Sequence, residues 1–213
     1  GVLTGLPAGK ADALIAAQLD KVSAGKVKPG AMLEVIEAAK RRADDTVKTK
    51  LQAYLQSLPQ TRSAAAFPYL LAGGDAGAGK KLFFEHTAAQ CVRCHKIGGN
   101  GSEVGPVLDG IGTKHPREYL LEAVLFPNNN IAPGFEMTMV VTKDGKTFGG
   151  MVRKETDTEL QLSAPVPNAP VDTVKKADIK TRAPGVSAMP EIMQQVMTQR
   201  ELRDLVAYLG SLR

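Results

Sequence analysis

The chain has 213 residues, 43% hydrophobic and 23% charged, which is the balance of a globular protein long enough to bury a core in one domain or two. No apolar run approaches the ~20 residues that span a bilayer. A formal charge of +5, the absence of Trp and an aromatic content of 5% argue against nucleic-acid binding and leave acidic protein partners as what the charge favours.

Residues 1–72 read as helical. Leu14, Ile15, Leu19 and Val22 recur at helical spacing before a stop at Gly25, and Leu33 with Ile36 repeats the pattern over Ala31 to Arg42. Asp44 or Asp45 is placed to cap a third helix carrying Val47, Leu51, Tyr54, Leu55 and Leu58, which Pro59 ends. Three short helices bury little alone, so the segment reads as the end of a larger helical array or as a cap on the next unit. The stretch Ala72-Gly73-Gly74-Asp75 marks a boundary, with Asp75 capping a helix from Ala76 to about Thr87 that puts Gly79 and Phe83 on one face. Gly74 to Lys81 nearly spells a phosphate-binding loop, but Lys81 stands where Ser or Thr would hold magnesium, so nucleotide binding is rejected.

The chain's only two cysteines fall in the run Cys91-Val92-Arg93-Cys94-His95. Cysteines this close build no disulfide framework. A thioredoxin-like pair requires a βαβ context that is missing upstream, and a zinc site requires two further ligands, for which His86 and His115 offer no regular spacing. A C-x-x-C-H run as a c-type haem attachment site uses all three residues: two thioethers tether the porphyrin and the histidine lies under the iron. The glycines of Gly98-Gly99-Asn100-Gly101 and Gly105-Pro106 then suit backbone passing close to a flat ligand.

Pro116 opens a helix through Val124, ended at Pro127. From Phe135 the period changes to strand alternation through Met137, Met139 and Val141. Lys143-Asp144-Gly145-Lys146 predicts a type I′ hairpin turn, with Thr147 to Val152 as the return strand. Glu159 to Ser163 and Val171 to Val174 add two strands, so residues 135–182 read as a small antiparallel β module. Pro190 opens a short helix, and Thr198 with Glu201 forms a capping box for a last helix with the apolar stripe Leu202, Leu205, Val206 and Leu209.

A glycine-containing helix, C-x-x-C-H, Gly105-Pro106-Val107-Leu108, then Met189-Pro190 and a terminal helix: this order resembles class I cytochrome c over roughly 73–134 and 183–213. The strings Tyr119-Leu120-Leu121-Glu122, Ile131-Ala132-Pro133-Gly134-Phe135 and Ser187-Ala188-Met189-Pro190 narrow the likeness to the haem-binding domain of planctomycete and verrucomicrobial type, which sits at the C-terminal end of larger exported proteins. The fold implied is mainly α: a cytochrome c-like helical unit over 73–213 with a small antiparallel β insertion at 135–182, and an N-terminal helical extension over 1–72. The chain would then be a fragment of a larger protein.

The resemblance implies one covalently attached haem c, held by Cys91 and Cys94. His95 is the proximal ligand, its ring bonded to the Pro106 carbonyl, and Met189 is the distal ligand. It also implies that Gly79 and Phe83 cross Leu205 and Tyr208. Met137 and Met139 are the reserve distal ligands; Met193 and Met197 read as packing. His86 and His115 are the weaker alternatives for a bis-histidine iron. Lys80, Lys81, Arg93, Lys96 and Lys114 read first as a solvated face and second as a rim steering an acidic redox partner. The expected function is single-electron transfer, not catalysis, from a dehydrogenase module to another cytochrome, in the periplasm or another exported compartment. Self-association through a strand edge is the further partner expectation. The competing expectation is a haem enzyme or gas sensor with an open or labile distal site, and a weaker third is an interaction scaffold in which the haem is a structural staple.

Overall fold

In the computed structural model, which describes residues 8–213, the helices are α1 (Ala8–Ser23), α2 (Met32–Lys40), α3 (Asp45–Ser57), α4 (Ala76–Glu85), α5 (Ile111–Lys114), α6 (Arg117–Leu125), α7 (Met193–Val196) and α8 (Gln199–Leu209). The strands are β1 (Lys96–Ile97), β2 (Asn100–Gly101), β3 (Glu136–Thr142), β4 (Thr147–Glu155), β5 (Glu159–Ser163), β6 (Val171–Lys175) and β7 (Ile179–Ser187).

Helix α1 buries Ile15, Leu19 and Val22 against Leu33, Ile36 and Val47. Leu14 is 49% exposed, because the buried face runs through positions 11, 15, 19 and 22 and Leu14 lies about a quarter of a turn off it. The helix ends in a Schellman motif: Lys26 N–H reaches Lys21 O at 2.8 Å and Gly25 N–H reaches Val22 O at 3.0 Å. Asp44, not Asp45, caps α3, accepting from Val47 N–H at 2.9 Å.

Helix α4 crosses α8. Asp75 caps α4, accepting from Gly77 and Ala78 N–H at 2.8 and 3.1 Å, and its own N–H donates to Asp204 Oδ1 at 2.9 Å. At Gly79 the backbones all but touch, since a Cβ there would lie 2.0 Å from Asp204 O and 2.7 Å from Tyr208 Cβ. Phe83 fills the space beside it, its ring centroid 6.1 Å from that of Tyr208.

Helix α8 begins at the capping box, with Thr198 Oγ1 accepting from Glu201 N–H at 3.2 Å and Glu201 Oε2 from Thr198 N–H at 2.7 Å. Its apolar stripe predicts one solvated face, yet every residue from Leu202 to Leu209 is buried. The face opposite α4 is covered by the N-terminal helices. There the Arg203 guanidinium, 4% exposed, makes a bidentate pair with Glu34 at 2.7 and 3.1 Å. The side chains of α1–α3, α4, α6 and α8 form one continuous apolar cluster.

The sheet is antiparallel throughout, in the order β6-β5-β4-β3-β7. It buries its own cluster, Val140, Leu160, Leu162 and Val174, apart from the helical core. The β3–β4 turn is not type I′: at its tip only Gly145 has positive φ (+86°), and Thr142 N–H bonds Lys146 O at 2.9 Å, which makes a type I turn with a bulge.

The expectation of a mainly α fold is corrected here, because 44% of the described residues are helical and 19% lie in strands, so the chain is mixed α and β. Part of the difference is β7, which the pattern reading missed. Pro184 and Gly185 punctuate its sequence, and a strand tolerates Pro when it lies, as β7 does, at a sheet edge.

Gly79→Ala is expected to lower stability by about 3 kcal/mol in urea unfolding, because neither backbone can yield. Gly149→Ala, with nothing within 4 Å of the added carbon, stays within about 0.5 kcal/mol of the parent. A second expectation concerns pH. The hydrogen bond from Arg203 holds the Glu34 carboxyl below its ordinary value of 4.5. A depressed folded pKa means that this contribution is intact above that value and fades as the pH falls below it. Glu34 is partly exposed and therefore screened, so Glu34→Gln should reduce the acid sensitivity of the unfolding free energy, read from urea titrations, by less than about 1 kcal/mol.

Candidate functional site: a haem attachment cleft

A 3₁₀ turn at Cys91–Arg93 sets the attachment motif. Gln90 enters it in the left-handed region (φ +46°), and the turn closes through Cys94 N–H and His95 N–H to Cys91 O at 3.1 and 2.9 Å. Winding the chain this tightly brings Cys91, Cys94 and His95 to the wall of one cleft. Both thiols are free. Burial pushes the Cys91 thiol up to about 11 and the Cys94 thiol upward as well.

The His95 ring is held from two sides. Its Nδ1–H donates to Pro106 O at 2.9 Å, which leaves the Nε2 lone pair free. Gly105 lies flat against the imidazole: a Cβ there would meet Cε1 at 2.8 Å and Nδ1 at 3.0 Å. Burial lowers the ring's pKa, the Pro106 bond opposing it in part, so the imidazole is neutral, as a metal ligand must be.

The cleft has an empty volume of about 1370 Å³, its open mouth included. Its walls are mostly apolar, with Phe83 from α4, Leu120 and Val124 from α6, and Leu205 and Leu209 from α8. Met189 lines it too, half-buried in the loop between β7 and α7, with its N–H donating to Ser187 Oγ at 3.2 Å. The donor set fits a covalently tethered haem: two thiols three residues apart on one turn, a neutral imidazole with one free nitrogen, a thioether sulfur and an apolar cleft.

Other sequence candidates fall differently. Met137 and Met139 lie on β3 outside the cleft, and Met139 is 56% exposed. Met193 and Met197 are buried, and Met193 also lines the cleft. His86 caps α4, and its Nδ1 accepts from Ala88 and Ala89 N–H at 3.2 and 3.1 Å. His115 does line the cleft, stacked on Tyr119 at 3.9 Å between ring centroids. Gly98 and Gly99 form the turn of the β1–β2 hairpin, and of the glycines singled out near the motif only Gly105 lines the cleft. Among the lysines and arginines near the motif, Lys96 pairs with Glu103 at 2.7 Å and Lys81 with Glu85 at 3.9 Å, which weakens a contiguous positive rim. The contact of Gly105 with the imidazole went unread in the sequence, although a glycine directly before Pro106 was the available signal.

Residues 76–164 match the family model described as Cytochrome c. The match supports a cytochrome c haem-binding domain, and with it covalently bound haem c and electron carriage in general. It covers less than half of the chain, from α4 through the attachment motif and Pro106 to the end of β5; Met189 and α8 lie beyond it. No curated protein matches the chain.

Gly105→Ala should push the imidazole off the Pro106 carbonyl. The expected result is a roughly tenfold drop in the yield of covalently loaded protein, read from the pyridine haemochrome spectrum.

Proposed function

We propose that the chain is a monohaem electron carrier of class I type, with Cys91 and Cys94 as thioether anchors, His95 as proximal ligand and Met189 as distal ligand. The observation that carries this reading is the His95–Pro106 bond at 2.9 Å in a cleft that both cysteines and Met189 also line. The bound haem supplies a one-electron couple. The protein's part is to aim Nε2 by donating Nδ1–H to Pro106, to keep the imidazole neutral, and to exclude water with Phe83, Leu120, Val124, Leu205 and Leu209. With a nitrogen from His95 and a sulfur from Met189 both holding the iron, no position would be left for a substrate, which argues for a carrier over an enzyme. A thioether ligand also favours the reduced state and a high potential.

The motif order and the sheet inserted before Met189 support the planctomycete and verrucomicrobial type as the particular relative. On that reading the domain serves a larger exported protein in the periplasm or its equivalent. Electrons come from a dehydrogenase module and leave to another cytochrome. The net charge of +5 suits an acidic redox partner, and the free edges of β6 and β7 are where self-association would occur.

Spectra of the matured protein test the ligand set. Ferric protein is expected to show the weak far-red band of sulfur-ligated haem, and reduced protein to ignore carbon monoxide. Met189→Ala should abolish the band, admit carbon monoxide and lower the potential. Prompt carbon monoxide binding by the parent would point instead to the open-site enzyme or sensor.

A further inference from the structure

We propose that Asn128 and Arg62 are positioning residues for Met189: they clamp the loop that presents its sulfur, and Arg62 does so from the N-terminal side of the chain, outside the family match. The inference rests on the sulfur-ligand reading above.

The loop between β7 and α7 spans residues 188–192, and Met189 projects from it into the cleft. Asn128, in the turn after α6, grips both sides of that methionine. Its Oδ1 accepts from Ser187 N–H at 2.8 Å, and its Nδ2 donates to Glu191 Oε2 at 3.4 Å. The two gripped residues stand two before and two after Met189. Ser187 closes the inner ring, its Oγ accepting from Met189 N–H at 3.2 Å.

Arg62 completes the clamp. Its Nη2 donates to the same Glu191 Oε2 at 2.6 Å. The arginine is itself oriented: its guanidinium lies 5.0 Å from the Phe126 ring centroid, and its carbonyl accepts from Asn129 Nδ2 at 2.6 Å. The turn over residues 126–129 thus organises both the arginine and the methionine loop. The ion pair is the weaker jaw, because its side chains are 57% and 30% exposed and water screens them. The Asn128–Ser187 bond is the stronger, since it engages the backbone next to the methionine.

Imidazole competition tests the clamp, because external imidazole binds ferric haem only when the sulfur is off. Relative to the parent, Arg62→Ala is expected to bind imidazole about threefold more tightly, and Asn128→Ala about tenfold. Arg62→Lys should stay near the parent value. In a Met189→Ala background, neither substitution should change imidazole affinity further. Thermal midpoints measured alongside separate a loosened loop from a loosened fold. Equal imidazole affinities for parent, Arg62→Ala and Asn128→Ala overturn the proposal, whatever happens to the thermal midpoint. So does an increase of the same size in the Met189→Ala background. A parent with no far-red band, whose imidazole affinity equals that of Met189→Ala, overturns the sulfur-ligand reading instead.

Discussion

The contact at Gly79 sets the helix crossing on which the helical core and the cleft both depend. With no side chain there, α4 reaches van der Waals contact with the α8 backbone, and Phe83 and Tyr208 close the gap beside it. Asp204 ties the crossing electrostatically, its carboxylate accepting from the N–H of the α4 cap. Phe83 from α4 and Leu205 and Leu209 from α8 are also walls of the cleft. The crossing is therefore both the centre of the helical core and one side of the cofactor site.

Helix α8 mediates between two neighbours. One face meets α4, and the other meets the N-terminal helices, where a buried arginine is neutralised by Glu34. A pair of this kind carries a desolvation cost that its attraction roughly offsets, so its main effect is orientational: the two Nη atoms of Arg203 hold Glu34 of α2 against α8. Apolar packing supplies the stability, and the pair supplies the register.

Local features of the fold were readable because their causes are local. Asp44, Asp75 and the Thr198/Glu201 box each satisfy backbone donors within three residues, and the attachment motif is contiguous. What sets Met189 ahead of Met137 and Met139 in the sequence is the proline after it, its distance from His95 and the helix that follows; of these three methionines it alone lines the cleft. The unread parts depend on distant partners. Arg203 and Asp204 look like solvent-facing residues until Glu34 and the α4 cap are brought against them. β7 lacks alternation because a sheet edge relaxes the demands on a strand. The Gly105–imidazole contact exists only once the chain has folded back over the motif. The mainly α expectation failed for a similar reason, since it treated the strands as a minor insertion when they form a five-stranded sheet with a core of its own.

The path of β7 has a mechanical consequence. Ser187 is the last residue of that edge strand, paired with Glu136, and its hydroxyl receives the amide of Met189. Only Ala188 separates the sheet from the residue that carries the sulfur. A protein that docked along this outer edge and tugged on the strand would transmit its load to the cleft with almost no slack to absorb it.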